Sequence, residues 1–362
     1  MSCSARPAVI LMVVLVCGTA ACATFGAHAS PELVVARKAV FNRAQVWRHT
    51  DVRAMNLKAG PQQSGAFRPG ATVVCSYRDK ELAGRSPKFA CVIGRKDEVK
   101  VKFGGTNGEV YGEVLATRLL WALGFGADRM YPVRVVCRGC PEDFGGVRLP
   151  NGDSRFDPAV IERKMPGSEW PGEDGGGWSW NELDAVNAAA GRAPRAHRDA
   201  LKLLAVFLQH TDSKPAQQRI VCLPSGRTRT RESCRSPFLM INDVGLTFGR
   251  ANRFNANDTG SVNLVAWRQT PVWKDSTGCI GNLPKSFTGT LDDPLISEEG
   301  RRFLAALLTQ LSDRQIRDLF DAARVHLRLR NPGDVSSGFG TIEEWVTIFK
   351  HKRAEIVERR CV

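Results

Sequence analysis

The chain lacks the signatures on which many hydrolases are built. It has no Gly-x-Ser-x-Gly and no His-Glu-x-x-His, which excludes a serine nucleophile elbow and a two-histidine zinc helix. Histidine is scarce and scattered: His197, His210, His326 and His351 stand far apart and form no metal-ligand pattern. A single Cys-x-x-Cys occurs, at Cys137 and Cys140, with no second pair at matching spacing, which argues against a zinc site. No internal repeat is present. No zinc-finger, RNA-recognition or helix-turn-helix pattern accompanies the basic charge, so no specific nucleic-acid partner is expected. Beyond the N-terminus, no run approaches the roughly 20 apolar residues of a membrane span.

What is present is ordinary in bulk. The 362 residues are 43% hydrophobic and 24% charged, enough for one large domain or two lobes around a cleft. The net charge of +14 is spread along the chain and suits anionic surfaces, acidic polymers or phosphorylated ligands. At the N-terminus, Arg6 precedes an apolar run from Ala8 to Val16, and Ala27-His28-Ala29 is a small-x-small cleavage site. Residues 1–29 therefore read as a secretory signal peptide, and the mature chain as periplasmic, cell-envelope or secreted. In a rival reading Thr19-Ala20-Ala21 precedes a lipid-bearing Cys22, which would tether the chain to a membrane.

Eight cysteines follow the signal, an even count that predicts disulfides in an exported chain. Local geometry suggests Cys75–Cys91 across a hairpin and Cys222–Cys234 across a polar loop. Cys137–Cys140 would close on itself, with a redox pair as the alternative, and Cys279–Cys361 would tie down the C-terminus.

Residues 30–70 read as an N-terminal extension with a Gly/Pro-rich end. Residues 71–165 hold strand-like runs at Ala71–Tyr77, Lys88–Ile93 and Glu98–Phe103, a helix at Glu109–Leu123 stopped by Gly124, then strands at Met130–Cys137 and Val160–Met165. Residues 166–182 form a Gly/Trp-rich linker or lid, in which Trp170, Trp178 and Trp180 either stack on a substrate or stiffen the loop. Residues 183–362 are mainly helical. A helix over Arg195–His210 delivers Asp212, two short strands lie at Ile220–Leu223 and Phe238–Ile241, and capping boxes at Ser312 and Thr341 open two more helices.

The chemistry gathers in three places. His210-Thr211-Asp212-Ser213-Lys214-Pro215-Ala216-Gln217 offers a carboxylate, a lysine two residues on and an amide five residues on. Asp243-Val244-Gly245 follows the apolar run Phe238–Ile241. Phosphoryl transfer uses such groups in this order: one carboxylate orients the acceptor hydroxyl, and an amide and a second carboxylate hold a metal against the phosphates. Lys102 closes the third strand, with Glu113 in the following helix as partner; Lys100 and Glu109 are the alternatives in the same pairing. Gly84 and Ser86, in the loop between the first two strands, would cover phosphates with backbone N–H groups. Glu162–Met165, before Pro166-Gly167, would meet a nucleotide base. Each feature also has a plain alternative: a helix-ending turn at Asp212, an Asn-Asp turn at Asp243, a solvated face at Lys102 and Glu113.

Over residues 70 to 330 the chain resembles the atypical branch of the protein-kinase-like superfamily: the HipA-type kinases, the phosphatidylinositol 3/4-kinase-like proteins and the secretory-pathway kinases. Lys102, Glu113, Asp212-x-Lys214-x-x-Gln217 and Asp243-x-Gly245 carry the resemblance. It implies an α+β bilobal fold, a β-rich small lobe and a mainly helical large lobe, stapled here by disulfides. It implies ATP with Mg²⁺ or Mn²⁺, catalysis by Asp212 and Lys214, nucleotide binding by Lys102, Glu113, Gly84 and Ser86, and metal binding by Gln217 and Asp243. Gln217 replaces the usual asparagine, and no typical Gly-rich loop is present. The acceptor would be an acidic protein, a glycan or a lipid headgroup. The competing expectations are an inactive pseudokinase and a cell-envelope binding protein for an anionic ligand.

Overall fold

In the computed structural model, residues 31–170, 177–186, 193–227, 233–329 and 340–361 are described. The expected signal peptide, Cys22 and the middle of the Gly-rich linker lie outside them.

The described residues begin with α1 (Pro31–Phe41); the first strand, β1 (Thr72–Arg78), alternates, burying Val73 and Cys75 and half-burying Tyr77 against the same core, with its remaining side chains outward. β2 (Lys88–Ile93) and β3 (Asp97–Phe103) follow as antiparallel neighbours. Helix α2 (Glu109–Ala122) and the short β4 (Gly126–Ala127) lead into β5 (Arg129–Arg138), which runs parallel to β1. Beyond β6 (Val147–Arg148), β7 (Ser154–Arg163) pairs antiparallel with both β5 and β3. That double pairing closes β3-β2-β1-β5-β7 into a five-stranded barrel. Its interior holds Phe89, Phe103, Phe156, Tyr131 and Ile161. Phe103 and Phe156 rings lie 4.7 Å apart, a contact worth about 1 kcal/mol beyond area burial.

A second sheet has the order β4-β10-β9-β8, with β8 at Ser168–Trp170, β9 at Gln218–Cys222 and β10 at Pro237–Ile241. The helices of this half are α3 (Arg195–Leu208), the short α4 (Asn257–Gly260) and α5 (Leu264–Gln269), α6 (Glu298–Leu308), α7 (Asp313–Ala323) and α8 (Ile342–Glu358); α6 packs on α3 and α8, and α7 on α8. Both predicted capping boxes are present, at Ser312 with Gln315 and at Thr341 with Glu344. The larger core joins these helices around Phe207, Phe248, Trp267, Phe320 and Trp345. Helix α2 is buried on nearly every side and packs against both β5 and α7. No described helix is long and apolar enough to cross a membrane.

Four disulfides form, in the pairing the sequence suggested: Cys75–Cys91, Cys137–Cys140, Cys222–Cys234 and Cys279–Cys361. Other features depart from the sequence reading. The stretch read as an extension supplies Val40, Phe41, Ala44, Val46, Val52 and Leu57 to the larger core. Trp170, Trp178 and Trp180 are 3%, 0% and 1% exposed, so they stiffen the fold and offer no face to a ligand. β7 starts at Ser154 rather than Val160, because Phe156 already points into the barrel. Helix α6 has no counterpart in the sequence reading. Gly300 in its first turn looks like a breaker, yet it marks close packing: a Cβ there would meet Asp199 Cβ of α3 at 2.4 Å.

Candidate active site

Two loops are stitched together by backbone hydrogen bonds. Helix α3 ends at Leu208, and Gln209 turns the chain with φ 56°. Phe248 N donates to Leu208 O at 2.7 Å, and Thr211 N donates to Leu246 O at 3.2 Å. Asn242 N donates to Gln217 O at 2.7 Å. The Asp212 loop therefore lies along the loop that leaves β10 through Asp243. The sequence suggests this arrangement only through two apolar segments that each end in an aspartate.

Asp212 is held from three directions. Its Oδ2 accepts from Lys214 Nζ at 2.8 Å and from Gln217 Nε2 at 2.7 Å, and its Oδ1 accepts from Asn255 Nδ2 at 3.0 Å. The amide of Gln217, expected to face a metal, thus donates to Asp212. Asn255 escaped the sequence reading; its one visible trace is an asparagine in a left-handed conformation, φ 53°. His210 is 1% exposed, and neither ring nitrogen has a hydrogen-bond partner among the described residues. Burial pushes its pKa down to about 4, so the ring is neutral at pH 7.

Asp243 meets the barrel through α2. Gly112 of α2 sits directly on the turn: a Cβ there would stand 2.4 Å from Gly245 O. One on Gly245 would stand 2.7 Å from Glu109 Cγ. This approach turns one face of α2, carrying Glu109 and Glu113 one turn apart, toward Asp243 and β3. Lys102 of β3 is 2% exposed. Its Nζ lies 2.7 Å from Glu109 Oε2, 2.5 Å from Glu113 Oε1 and 3.8 Å from Asp243 Oδ2. Both glutamates weighed in the sequence are therefore partners at once.

Three carboxylates around one ammonium leave excess negative charge. Burial alone would lower the Lys102 pKa, but Asp243, Glu113 and Glu109 hold it well above the ordinary lysine value. Burial would raise Asp243, but Lys102, Lys100 and the Gly245 N–H hold it well below the carboxylate range. Glu113, 1% exposed, is pushed up to about 8 by burial against the pull of Lys102, so it is the carboxyl that most readily takes a proton. Lys102 stays charged beside Asp243.

Oxygens of Glu109, Glu113 and Asp243 lie within 4.8 Å of one another. Glu113 Oε2 is buried without a hydrogen-bond partner among the described residues. Hard oxygen donors gathered this closely fit a divalent cation such as Mg²⁺, which on binding would displace the Glu113 proton.

Lys88 stands directly opposite Lys102 in the β2–β3 ladder. Its Nζ lies 3.5 Å from Ser86 Oγ, and Gly84 (φ 92°) folds over it: a Cβ on Gly84 would fall 2.8 Å from that nitrogen. Burial, then the charge of Lys102, lowers the Lys88 pKa. The sequence reading missed Lys88, although strand alternation places it on the Lys102 face once the hairpin register is known.

A cavity of about 670 Å³ opens beside Lys100 and is lined also by Leu82, Ala90, Glu162 and Lys164. Lys100 pairs with Glu162, and Lys164 Nζ reaches Glu162 Oε1 at 3.0 Å and Asp128 Oδ2 at 3.3 Å. Met165 N donates to Asp128 Oδ1 at 2.7 Å, so that N–H of the expected base-contacting stretch is already occupied.

No protein-family model and no curated protein matches the chain. Among solved structures it is similar to a Helicobacter pylori proinflammatory kinase, CtkA, at 10% identity. The match covers 80% of this chain and 96% of that one, with a TM-score of 0.43. Agreement at that level fixes neither the fold nor the activity of this chain.

Proposed function

We propose that the chain is an exported, kinase-like phosphotransferase, with its nucleotide site between a barrel-bearing small lobe and a helical large lobe. The observation that carries this reading is the buried Lys102, clasped by Glu109 and Glu113 beside Asp243, with Asp212 on the adjoining loop.

In this reading Lys102 and Lys88 neutralise the phosphates of ATP, and Ser86 with the Gly84 turn closes over them. Asp243, with Glu109 or Glu113, would hold Mg²⁺ or Mn²⁺. Such an ion, when bound, withdraws charge from the phosphate oxygens. Asp212, fixed by Lys214, Gln217 and Asn255, orients the acceptor hydroxyl and receives its proton. The acceptor oxygen bonds to the γ-phosphorus, the bond to the β,γ-bridging oxygen breaks, and ADP leaves. Lys214, 35% exposed, is placed to meet charge on the transferred group. The four disulfides suit a chain that works outside the cytoplasm.

A second reading, a non-catalytic relative that binds an anionic ligand or partner, is favoured by one observation. The Met165 N–H is already bonded to Asp128 and offers no donor to a base. The experiment is phosphoryl transfer from γ-labelled ATP, to the protein itself or to water, by the disulfide-intact mature chain. Transfer in the wild type that falls at least about a hundredfold in Asp212→Ala supports the enzyme. Tight nucleotide binding without transfer supports the second reading.

A further inference from the structure

We propose that the surface beside Asp212 docks a polypeptide acceptor, one that carries an apolar side chain next to its phosphorylated hydroxyl and acidic residues around it. The inference rests on the phosphotransfer reading above and names its acceptor class.

Two phenylalanines break the pattern of the molecule. Phe254 is 71% exposed and Phe287 is 61% exposed, while every other described phenylalanine is buried or half-buried. Their rings pack on each other with centroids 5.2 Å apart, so the two form one apolar patch. Isolated exposed apolar residues are common on soluble proteins; two exposed rings in contact beside reactive groups make a contiguous apolar point that can bind.

The patch is tied to the candidate base. Phe254 immediately precedes Asn255, whose amide donates to Asp212 Oδ1 at 3.0 Å. Phe287 N donates to Arg253 O at 3.0 Å, and Thr290 N donates to Ser213 O at 3.2 Å. Both ring-bearing segments are thus anchored on the residues that flank Asp212. Their backbone is fixed as well: Asn252 N donates to Thr211 Oγ1 at 2.8 Å, and Ala256 N donates to Asn252 Oδ1 at 2.6 Å.

The geometry selects among acceptors. The two ring planes meet at 61°, edge against face, so the patch is not one flat stacking surface of the kind a sugar ring uses. Its exposed ring edges suit contact with an aliphatic or aromatic side chain. The patch is two rings wide, the scale of one side chain and not of a lipid surface. The Arg253 guanidinium lies over the Phe287 ring, 4.1 Å from its centroid, and Arg250 is exposed nearby in sequence. With a chain of net charge +14, these arginines complement acidic residues flanking the apolar one.

The test uses the mature disulfide-intact chain, γ-labelled ATP with Mg²⁺, and an array of serine, threonine and tyrosine peptides varied in charge and at one apolar position. Chitooligosaccharide and phosphatidylglycerol vesicles serve as the non-peptide acceptors. Phe254→Ser/Phe287→Ser and Arg250→Glu/Arg253→Glu are run beside the wild type, and each protein is also titrated with ATP–Mg²⁺ in a thermal-shift assay. Both sets of changes are at exposed positions. The expected result is wild-type labelling of acidic peptides bearing Phe, Leu or Met, reduced roughly tenfold in the double phenylalanine variant while its nucleotide shift persists. The arginine reversal should remove the preference for acidic peptides. The proposal is overturned by wild-type labelling of only the sugar or the vesicles, or by an unchanged apolar preference in the phenylalanine variant. A wild type with no nucleotide shift is a separate result that removes the phosphotransfer reading, and the acceptor surface with it.

Discussion

Replacing Gly112 with alanine sets two effects of known size against each other. In the interior of a helix this change favours the helical state by about 1 kcal/mol. The new Cβ, however, would stand 2.4 Å from Gly245 O and 3.2 Å from Ser261 Oγ. That carbonyl is not free to retreat, because Ser261 Oγ donates to it at 2.6 Å. Neither obstacle is the far end of a long side chain, so α2 must shift bodily or the Asp243 turn must open. Overpacking of this kind costs about 1–3 kcal/mol, which leaves a net change between zero and a loss of about 2 kcal/mol. The functional effect should be larger, because the same shift carries Glu109 and Glu113 away from Lys102 and Asp243. A ligand at a hundred times its dissociation constant adds about 2.7 kcal/mol of stability, and a tenfold weaker site leaves about 1.4 kcal/mol. Urea unfolding of wild type and variant, each with and without ATP–Mg²⁺, reads both quantities. A variant more stable by about 1 kcal/mol that keeps the full nucleotide increment would refute the close-approach argument.

His210 gives a second expectation. Its pKa is about 4 in the fold and near 6.5 in the unfolded chain, so between those values the unfolded state binds more protons. The His210 contribution should be complete above pH 7 and fall by up to about 3 kcal/mol as the pH drops to 4; it is read as the difference in stability between wild type and His210→Leu, from denaturant midpoints measured across that range, because Glu113 titrates in the same range with the opposite sign. The Cys279–Cys361 bond closes the longest loop of the four, a separation of 82 residues. Loop-closure entropy predicts that Cys279→Ser/Cys361→Ser loses about 4.5 kcal/mol, measured by urea unfolding, with the other three bonds intact in a mass-spectrometric disulfide map.

The parts of the fold carried by local pattern were legible. Short strand-like runs bounded by turn residues marked β2 at its observed bounds, Lys88–Ile93, and the other barrel strands to within a few residues except β7. The Ser312 and Thr341 capping boxes each open the helix they announce. What stayed hidden depends on long-range contact. Closure of the barrel rests on a parallel β1–β5 pairing and a β3–β7 pairing between strands far apart in sequence. Gly112 and Gly300 each mark a close approach by a backbone or side chain that the sequence does not reveal. Within the site, Asp212 and Asp243 stood out because each follows an apolar segment, and Lys102 and Glu113 because one closes a strand and the other lies in the helix that follows. Lys88 and Asn255 did not, since only register and a left-handed turn bring them to the same place.

The most direct test of a metal-dependent nucleotide site at Lys102 and Asp243 is a thermal-shift titration of the disulfide-intact protein from Ser30 onward with ATP. It is run with and without Mg²⁺ or Mn²⁺, beside Asp243→Ala. The account predicts an upward shift that requires the metal, equivalent to about 2.7 kcal/mol at a hundred times the dissociation constant, and its loss in the variant. No shift with either metal, or an equal shift in Asp243→Ala, would contradict it.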